Sequence, residues 1–415
     1  MRTLDTLHPR PFRLHNPIRH YEWGERGASA FIAKLLGVQD SSPLPYAELW
    51  VGAHPSAPSL MELSDGSRQP LSEAVQKWPQ EILGSPVIQA FGASWPFLFK
   101  ILSAAEPLSI QAHPDAQQAQ RLHLRDPHHY PDPHAKPEMA VALTPFHALV
   151  GFKPVDAWRE VFRTFPEIAS FADADALCPG TDMEFVRNAF QHMLTKAQQK
   201  PPLLAQAVEA TAKRIFAAPP PFATMADIFH QLLAKYGPQD VGLLVLLFLN
   251  PVELSPGQAV FLPPGLPHAY LKGNIVECMT NSDNVIRLGL TPKYKDTQAI
   301  VTALDFAPRK VAVMTPTQDQ HTLYRVPCDA FEVHRWTLAP QAEVALERPG
   351  GPAILFILRG RGRLGWQDKQ GPANMPYETG QSFLIPAHLP AYGLIAETET
   401  LVFAARVPLE GLGAR

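Results

Sequence analysis

Two stretches with the same spacing decide the fold: GQAVFLPPGLPHAYL at residues 257–271 and GQSFLIPAHLPAYGL at residues 380–394. In each, a Gly-Gln pair precedes a short apolar run that ends at a proline, Pro263 or Pro386, and a second proline follows four residues later. A spacing shared over about fifteen residues indicates two related units. Short apolar runs bounded by Gly and Pro are typical of strands joined by stiff turns. The sequence therefore predicts a duplicated β-unit.

A change of period between residues 155 and 236 predicts a helical insertion in the first unit. Segments such as DMEFVRNAFQHMLTKAQQ, residues 182–199, repeat apolar residues at i, i+3, i+4 and i+7. Asp156, Thr181 and Thr224 stand near the starts of three such segments as candidate caps. Residues 48–110, by contrast, offer short strand-like runs separated by Pro, Gly, Ser and Asp.

These patterns predict a mainly β fold with a helical insertion. The Gly-to-Pro spacing and glycine-rich hairpins such as RGRGRLGW, residues 359–366, suit a double-sheet jelly roll, the cupin architecture. We expect two cupin-like jelly-roll units plus an α-helical domain. Their boundaries are 1–152 with 250–315 for the first unit, 153–249 for the helical domain and 316–415 for the C-terminal unit.

Composition excludes several classes of protein. The formal net charge is −3, so no basic surplus points to nucleic acid or an anionic membrane. The longest apolar stretch, residues 241–249, is about half the ~20 residues needed to span a bilayer, and the N-terminus has no signal-like apolar run. Cys178, Cys278 and Cys328 are widely spaced and form no CxxC pair. We expect a cytoplasmic protein in a reducing setting, without nucleic-acid or membrane partners.

Strand alternation groups polar side chains in the segment PLSIQAHPD, residues 107–115. Alternate residues of a strand point to the same face, so Ser109, Gln111 and His113 share one side. The same period aligns Lys136 with Glu138. The three polar side chains of the first segment are therefore predicted to point to one face of their strand, and Lys136 and Glu138 to one face of theirs.

A further pair, His268 and Tyr270, follows the prolines of the first repeat. Two histidines and one carboxylate make a site for a borderline divalent metal, with imidazole favouring zinc and harder oxygens admitting Mn or Fe. Gln111 adds a neutral oxygen ligand and leaves the site with a net charge near +1. The equivalent place in the second repeat is Ala391, and His388 lies three positions earlier, where alternation turns it to the other side. The C-terminal unit is therefore predicted to hold no metal.

Five segments between residues 21 and 296 resemble the signatures of the type I mannose-6-phosphate isomerase family. The most specific motifs are Q-A-H-P-D and N-x-I-R-x-G-L-T-P-K-x-K-D. The segments are PFLFKILSAAEPLSIQAHPD (96–115), KPEMAVAL (136–143), FLPPGLPHAYLKGNIVECMTNSDNVIRLGLTPKYKD (261–296) and, more weakly, YEWGERG (21–27) and AELWVGAHPSAPS (47–59). Glu25 departs from the family pattern, in which a small polar residue is common at this position.

The resemblance implies an aldose-ketose isomerase that interconverts mannose 6-phosphate and fructose 6-phosphate through a cis-enediol, with one zinc ion per chain. It implies zinc ligands at Gln111, His113, Glu138 and His268. It implies catalytic residues at Arg287, Glu277 and Lys136, and substrate-binding residues at Lys100, Ser109, Tyr270 and Lys293. Glu277 and Lys136 both stay open as the catalytic base, with Glu277 preferred.

The partner implied by the resemblance is a small sugar phosphate, bound by a monomer. The product would supply mannose phosphates for GDP-mannose and glycan synthesis, or for mannose catabolism. A cupin oxygenase with non-haem iron is an alternative, since two histidines and a carboxylate also make its facial triad. The cations Lys100, Lys136, Arg287 and Lys293 argue against it. A non-catalytic sugar-binding cupin is the other alternative, weakened because no output module accompanies the fold.

Two further features are predicted to be structural. The histidine-rich segment HLRDPHHYPDPH, residues 123–134, has the prolines and charges of a solvated loop. The RGRGR run at residues 359–363 is predicted to be a strand turn with a solvated charged face.

Overall fold

A computed structural model of the chain describes residues 7–39, 43–177, 180–347, 350–389, 391–410 and 412. The described strands, numbered in chain order, are β1 Phe12–His15, β2 Ile18–Arg19, β3 Glu25–Arg26, β4 Pro45–Tyr46, β5 Glu48–Val51, β6 Leu60–Glu62, β7 Arg68–Pro70, β8 Phe97–Ala104, β9 Ile110–Ala112, β10 Glu138–Ala142, β11 Phe146–Phe152, β12 Leu249–Leu254, β13 Ala259–Leu262, β14 His268–Thr280, β15 Ile286–Gly289, β16 Val313–Met314, β17 His321–Tyr324, β18 Glu332–Leu338, β19 Glu343–Glu347, β20 Ala353–Arg359, β21 Arg361–Asp368, β22 Gly371–Glu378, β23 Ser382–Ile385, β24 Ala391–Ala396 and β25 Thr400–Arg406. The described α-helices are α1 Phe31–Leu35, α2 Leu71–Lys77, α3 Pro79–Ile82, α4 Ser85–Phe91, α5 Ala116–Arg125, α6 Val155–Thr164, α7 Pro166–Phe171, α8 Asp182–Gln199, α9 Pro201–Arg214, α10 Ala226–Tyr236, α11 Gly242–Val245 and α12 Thr297–Ala303.

The strands form two large sheets and two small ones. The first β-unit centres on the thirteen-residue strand β14, which pairs with β8, β9, β10 and β11 in an eleven-stranded sheet. In the C-terminal unit a four-stranded sheet, β19-β24-β21-β22, packs through an apolar core against strands of an eight-stranded sheet, β17-β18-β25-β20-β23-β1-β6-β7. The prediction of a mainly β, cupin-type fold with a helical insertion is confirmed.

The two repeated stretches adopt the same local structure. Gly257 and Gly380 have positive φ values of 88° and 85°, a conformation that favours glycine. The glutamine side chain after each glycine accepts a hydrogen bond from the backbone N–H three residues earlier, at 2.8 and 3.1 Å. Four-residue strands follow, β13 and β23. The next strand then begins at His268 in the first unit and at Ala391 in the second, while the proline at 390 lies outside the described residues.

Helices α6 to α11 lie between β11 and β12 and pack against the strands that carry the site. Ile110 of β9, Ala269 of β14 and Ile286 of β15 belong to the core of the helical block. Trp158 of α6 is fully buried there, and its ring centroid lies 4.2 Å from that of Phe248. Burial of a large aromatic side chain is worth about 3 kcal/mol, so this core fixes the helical block against the site strands.

One of the three predicted helix caps is confirmed. Thr181 and Glu184 form a reciprocal capping box at the start of α8. The other two predictions are wrong. Asp156 lies inside the first turn of α6 because Pro154 precedes the helix as its N-cap. Thr224 lies in a 3₁₀ turn, where its hydroxyl donates to the carbonyl of Pro221.

Helices α2, α3 and α4 correct the prediction for residues 48–110, which read this region as short strand-like runs. Helices α2 to α4 are seven, four and seven residues long, too short to show a 3.6-residue period. Helix α5 follows this region, and the sequence does contain a pattern that indicates its start, because Asp115 and Gln118 form a capping box there.

The two β-units share a core. The rings of Phe99 in β8 and Phe356 in β20 stack at 5.9 Å, and β1 lies between β6 and β23. Cys278 and Cys328 are buried free thiols, and burial raises the pKa of Cys278 well above its usual range. Cys178 lies outside the described residues. Across the ranges given above, every helix is too short or too polar to cross a membrane.

Candidate active site

Three strands meet at the site, and their register brings together side chains from distant parts of the chain. In β9, Gln111 lies opposite His268 of β14 on one side and opposite Arg287 of β15 on the other. His113 follows two residues later, on the same side by strand alternation. The three-residue strand β9 therefore aligns the Q-A-H motif with a histidine and an arginine encoded far downstream.

His113, Glu138 and His268, called here the metal cluster, bring their ligand atoms within 4.8 Å of one another. All three are buried to 2% exposure or less. His113 Nε2 lies 3.2 Å from one Glu138 oxygen and His268 Nε2 lies 3.5 Å from the other. Ligands that share one tetrahedral ion at about 2.1 Å lie roughly 3.4 Å apart, so the spacing suits a single metal ion.

Backbone carbonyls orient both imidazoles. His113 Nδ1 lies 2.8 Å from the carbonyl oxygen of Asn284, and His268 Nδ1 lies 2.9 Å from that of Leu266. A carbonyl only accepts, so each Nδ1 carries the proton and donates. The lone pair of each Nε2 is thereby turned toward Glu138, as in a metal ligand oriented by its other nitrogen. Burial lowers the pKa of His113 to about 4 despite the opposing effect of Glu138, so the ring is neutral at pH 7.

Two buried atoms of the metal cluster have no hydrogen-bond partner in the described structure: His113 Nε2 and Glu138 Oε2. A lone pair that faces a carboxylate is repulsive, and burying unpaired polar atoms costs about 1–3 kcal/mol each. A cation placed between them would satisfy both. Two neutral imidazoles and one carboxylate are the donor set that zinc prefers, so the residues present fit a zinc ion.

Gln111 lies beside the metal cluster. Its carboxamide nitrogen is 3.4 Å from His268 Nε2, and its oxygen accepts a hydrogen bond of 3.3 Å from Ser109 Oγ. The two ends of a carboxamide are nearly the same in shape, so rotation about the terminal bond exchanges them. That rotation turns the oxygen toward the metal cluster, where it can serve as a neutral ligand.

A second buried group adjoins the metal cluster and centres on Glu277. Lys100 Nζ donates to one Glu277 oxygen at 3.0 Å, and the Tyr270 hydroxyl donates to the other at 2.9 Å. Glu48 lies 3.8 Å from Lys100 Nζ. Burial raises the pKa of Glu277, and the charges of Glu138 and Glu48 add to the effect against that of Lys100. This carboxylate is therefore held in place and made more basic than an exposed one.

Lys100 and Lys136 are two buried lysines, and each lies beside a carboxylate of the site. Burial would lower the pKa of Lys100, but Glu277, Glu48 and Glu138 raise it, so this lysine stays charged. Lys136 is also buried, and its Nζ lies 3.2 Å from the Glu138 oxygen that faces His113. Lys136 thus links the metal cluster to the pocket.

Arg287 and Lys293 are two cations, one on β15 and one in the loop that follows it. Within the described residues, neither has a carboxylate within 4.0 Å. Arg287 is half-buried, and burial lowers its pKa. Lys293 is exposed, and its Nζ lies 5.7 Å from the centre of the Tyr21 ring. A half-buried and an exposed cation, each without a carboxylate this close, suit an anionic group such as phosphate.

Comparison with known proteins assigns the family. Residues 11–155 match the family model described as phosphomannose isomerase type I, catalytic domain. The chain is 35% identical over 422 aligned residues to the mannose-6-phosphate isomerase of Ogataea parapolymorpha, with 94% of this chain and 96% of that protein covered. This chain belongs to the type I phosphomannose isomerase family.

Further relatives agree with this family assignment. Human mannose-6-phosphate isomerase is 38% identical over 335 residues, covering 76% of this chain and 78% of that protein. A crystal structure of zinc-bound mannose 6-phosphate isomerase superposes with a TM-score of 0.80 at 29% identity, covering 96% and 99% of the two chains. A variant of phosphomannose isomerase from Salmonella typhimurium gives a TM-score of 0.81 at 30% identity, with the same coverage.

Sequence reasoning missed several residues of this phosphomannose isomerase-family pocket. Glu48 accepts a 2.6 Å hydrogen bond from Trp50 Nε1 and faces Lys100. His54 Nε2 lies 3.3 Å from Asp283 Oδ1, and against the effect of burial the hydrogen bond and charge of His54, followed by the charges of Lys136 and Lys100, lower the pKa of that carboxyl. Glu48 and His54 lie in AELWVGAHPSAPS, one of the two weaker family motifs. That motif was the feature of the sequence that could have predicted them.

Glu25, which departs from the family pattern, has a structural position. Its Oε2 accepts a 2.7 Å hydrogen bond from the backbone N–H of Phe31, the first residue of α1. Its Oε1 faces the side chain of Asn274 at 3.4 Å. The carboxylate thus satisfies a free N–H at the start of a helix, where negative charge is stabilising.

The remaining polar motifs have hydrogen-bond or ion-pair partners within the protein. His123 Nδ1 donates to the carbonyl of Tyr130, and His129 pairs with Asp126 at 2.7 Å. Both ring nitrogens of His388 face backbone carbonyls, at 2.8 and 3.0 Å. The RGRGR arginines pair with exposed Glu397 and Glu399. Of the described residues, the metal cluster alone forms a group of three or more His, Cys, Asp or Glu with metal-ligand spacing.

Proposed function

We propose that this protein is a zinc-dependent mannose-6-phosphate isomerase that interconverts mannose 6-phosphate and fructose 6-phosphate. The observation that carries the proposal is the buried metal cluster with two unpartnered ligand atoms, together with Arg287 and Lys293, which have no carboxylate within 4.0 Å in the described part of the chain. A sugar phosphate needs both features. The metal cluster serves the oxygens near its reacting carbons, and the two cations serve its remote phosphate. The family assignment supports the same activity.

Gln111, His113, Glu138 and His268 would hold one zinc ion per chain. A zinc ion bound there supplies Lewis-acid stabilisation of the sugar oxygen that gains charge during the reaction. Backbone carbonyls keep both imidazoles in the ligating tautomer. The C-terminal repeat offers Ala391 where the first repeat has His268, so it adds no second site of this kind.

The reaction moves a proton between C1 and C2 of the open-chain sugar through a cis-enediol. Glu277 is our choice for the base, since burial raises its pKa and Lys100 and Tyr270 fix the direction of its oxygens. Lys136, beside Glu138, binds a sugar hydroxyl or handles the proton on the oxygen. Lys136 stays the alternative base.

Arg287 and Lys293 bind the phosphate, with the guanidinium matching two phosphate oxygens and the ammonium acting as a point charge. Ser109, Tyr270 and Lys100 contact the sugar. Holding the phosphate away from C1 and C2 orients the reacting carbons against the base, which lowers the barrier by proximity.

A coupled assay of fructose 6-phosphate formation from mannose 6-phosphate, with and without chelator, tests this function. We expect activity that chelator removes and added zinc restores. Among variants, Glu277→Gln is expected to lose turnover with zinc content retained, whereas Lys136→Met loses less. A purified protein that contains zinc but forms no fructose 6-phosphate would refute the proposal.

Metal stoichiometry provides a second test. After removal of loosely bound ions, metal analysis should give about one zinc per chain, since one repeat has the ligands and the other does not. A reproducible value near two, with the second ion placed between residues 316 and 415, would contradict the one-zinc assignment.

We further propose the setting in which this activity operates. The catalytic domain comprises residues 1–152 and 250–315, with the helical domain at 153–249 and a metal-free C-terminal domain at 316–415. The protein works in the cytoplasm as a monomer, and its product supplies mannose phosphates for GDP-mannose and glycan synthesis or enters mannose catabolism. Buried free thiols at Cys278 and Cys328 support a reducing compartment.

A further inference from the structure

Asp240 is a buried carboxylate of the helical block that touches the segment carrying the phosphate-side cations. It stands between α10 and α11 and is 5% exposed. Its Oδ1 accepts hydrogen bonds of 2.9 Å from the backbone N–H groups of Gly242 and Leu290. Its Oδ2 accepts from Lys295 Nζ at 3.2 Å. One carboxylate thus joins the helical block to the chain just after β15.

The two partners on the β15 side lie at the two ends of one loop. Leu290 begins the loop directly after β15, which carries Arg287, and Lys295 ends it. Lys293 lies between them, two residues before Lys295. Asp240 therefore closes the loop that presents Lys293 and fixes the end of the strand that presents Arg287.

Backbone geometry at this junction depends on the contact. Leu290 has a φ of +57°, a left-handed conformation that costs a non-glycine residue about 1–2 kcal/mol. Such a conformation persists only where its surroundings hold it, and here Asp240 accepts the hydrogen bond of that residue's own N–H. The bond fixes the direction in which the chain leaves β15.

Two glycines allow the close approach. A Cβ on Gly289 would lie 2.6 Å from Asp240 Oδ1 and 2.6 Å from the Cα of Gly242. A Cβ on Gly242 would lie 2.9 Å from Leu290 N. The helical block and the end of β15 are thus in direct backbone contact. This close approach explains why a glycine stands at position 289 of the R-x-G-L motif.

We propose that Asp240 is a positioning residue for the phosphate of the substrate: it sets the placement of Arg287 and Lys293 without touching the substrate itself. The inference rests on the proposed function, which assigns phosphate binding to these two cations. It gives the helical block a part in substrate affinity through a single buried carboxylate.

Kinetics of Asp240 variants test the proposal. For Asp240→Ala we expect KM for mannose 6-phosphate to rise about 10- to 100-fold, with kcat reduced less and zinc content unchanged. The inhibition constant of inorganic phosphate should rise in parallel. Asp240→Asn keeps an acceptor oxygen for the two backbone N–H groups and should stay within about 3-fold of the wild-type KM. A loss in Asp240→Asn as large as in Asp240→Ala would contradict the backbone contact as its cause.

Lys295→Met and Glu332→Ala complete the set. Lys295 is 41% exposed on its side chain, so its removal leaves the fold intact and weakens only one end of the loop. We expect a KM increase of about 3-fold.

Glu332 lies in the C-terminal unit and is a carboxylate about as buried as Asp240, with 2% exposure. Glu332→Ala should leave KM unchanged. An unchanged KM in Lys295→Met would overturn the proposal if Asp240→Ala fails to fold.

Calorimetric titration with inorganic phosphate separates this inference from the proposed function. Weaker phosphate binding by Asp240→Ala than by the wild type supports the positioning role, whether or not the wild type isomerises mannose 6-phosphate. Equal binding by the two proteins overturns it. Absence of isomerase activity in the wild type would count against the proposed function alone.

Discussion

Each of the two β-units contains a cluster of two histidines and one glutamate, and the two clusters differ in how their polar atoms are used. In the C-terminal cluster, His321, His334 and Glu332, the atoms pair with one another. His321 Nε2 lies 2.8 Å from His334 Nδ1, and His334 Nε2 donates to Glu332 at 3.1 Å. Arg406 Nε donates to the same Glu332 oxygen at 2.7 Å. Within the described structure Glu332 Oε2 has no hydrogen-bond partner, but the Arg325 guanidinium lies 3.6 Å from it. In the metal cluster, His113 Nε2 and Glu138 Oε2 have none among the described residues, and each faces another member of that cluster.

This difference shows what separates a metal site from a structural network. Both clusters contain two histidines and a glutamate, so residue type alone does not distinguish them. The C-terminal cluster uses both ring nitrogens of His334 within the protein and places an arginine against each oxygen of Glu332, Arg406 on one and Arg325 on the other. The metal cluster turns its free lone pairs toward one point. Convergence of unused lone pairs, rather than the presence of His and Glu, identifies the ligand set.

Removing a ligand from the metal cluster should have the largest effect. We expect His113→Ala and His268→Ala each to lose bound zinc and all measurable isomerase activity, because each removes one of four ligands. Zinc analysis and the coupled assay measure both quantities. His334→Ala serves as the matched control in the other cluster and should keep zinc and activity. Full zinc occupancy in His113→Ala or His268→Ala would remove that residue from the ligand set.

Removing a cation should separate binding from metal content. Arg287→Ala is expected to keep zinc but lower kcat/KM by about 30-fold to several thousandfold, since a charge-assisted contact in a partly buried pocket is worth about 2–5 kcal/mol. Arg406→Ala, which takes an arginine from the C-terminal cluster, should leave kcat/KM unchanged. Near-normal turnover by Arg287→Ala would exclude this arginine from the active site.

Breaking the C-terminal cluster should affect stability alone. Glu332→Ala leaves Arg406 and His334 without their partner, and loss of one member of a buried charge pair costs about 3–5 kcal/mol of unfolding free energy. Urea denaturation of the zinc-bound protein measures the loss. The specific activity of the folded variant should equal that of the wild type. A drop in zinc content would show that the two clusters are coupled.

The smallest effect expected is a dependence of stability on pH. Burial lowers the pKa of His334 to about 4 although Glu332 raises it, whereas the unfolded value is near 6.5. The unfolded chain then binds more protons between these values, so stability is full above pH 6.5 and falls as the pH drops toward 4. We expect this loss to reach about 1–3 kcal/mol and to be absent in His334→Gln. Parallel pH profiles of the wild type and His334→Gln would refute it.

Local patterns in the sequence predicted much of the site. Strand alternation placed Lys136 beside Glu138 and Ser109 beside Gln111, and the structure has these pairs at 3.2 and 3.3 Å. The residue types alone indicated a metal site of two histidines and a carboxylate, and His113 and His268 do form one cluster with Glu138. Such predictions succeed because a two-residue period fixes the face of a side chain from its neighbours alone.

Features that depend on distant pairing were not predicted. Glu48 meets Lys100 and Asp240 meets Leu290 only through the tertiary fold. Likewise β1 pairs with β23 across nearly the whole chain. Periodicity reports which face a residue occupies, but it carries no information on which remote segment will lie opposite that face. Short helices such as α2 were not predicted for another reason, since two helical turns are too few to establish a period in the sequence.

The position of β1 in the eight-stranded sheet has a consequence for synthesis on the ribosome. Asn16, just after β1, donates a 2.7 Å hydrogen bond to Ser382, which lies 366 residues later. At about 5–20 residues per second, roughly 20 to 70 s pass between translation of these two residues. During that interval the edge of β1 that will pair with β23 stays open, and open strand edges pair readily with other chains. The nascent protein therefore needs the residues of β23 before the second edge of β1 is protected from aggregation.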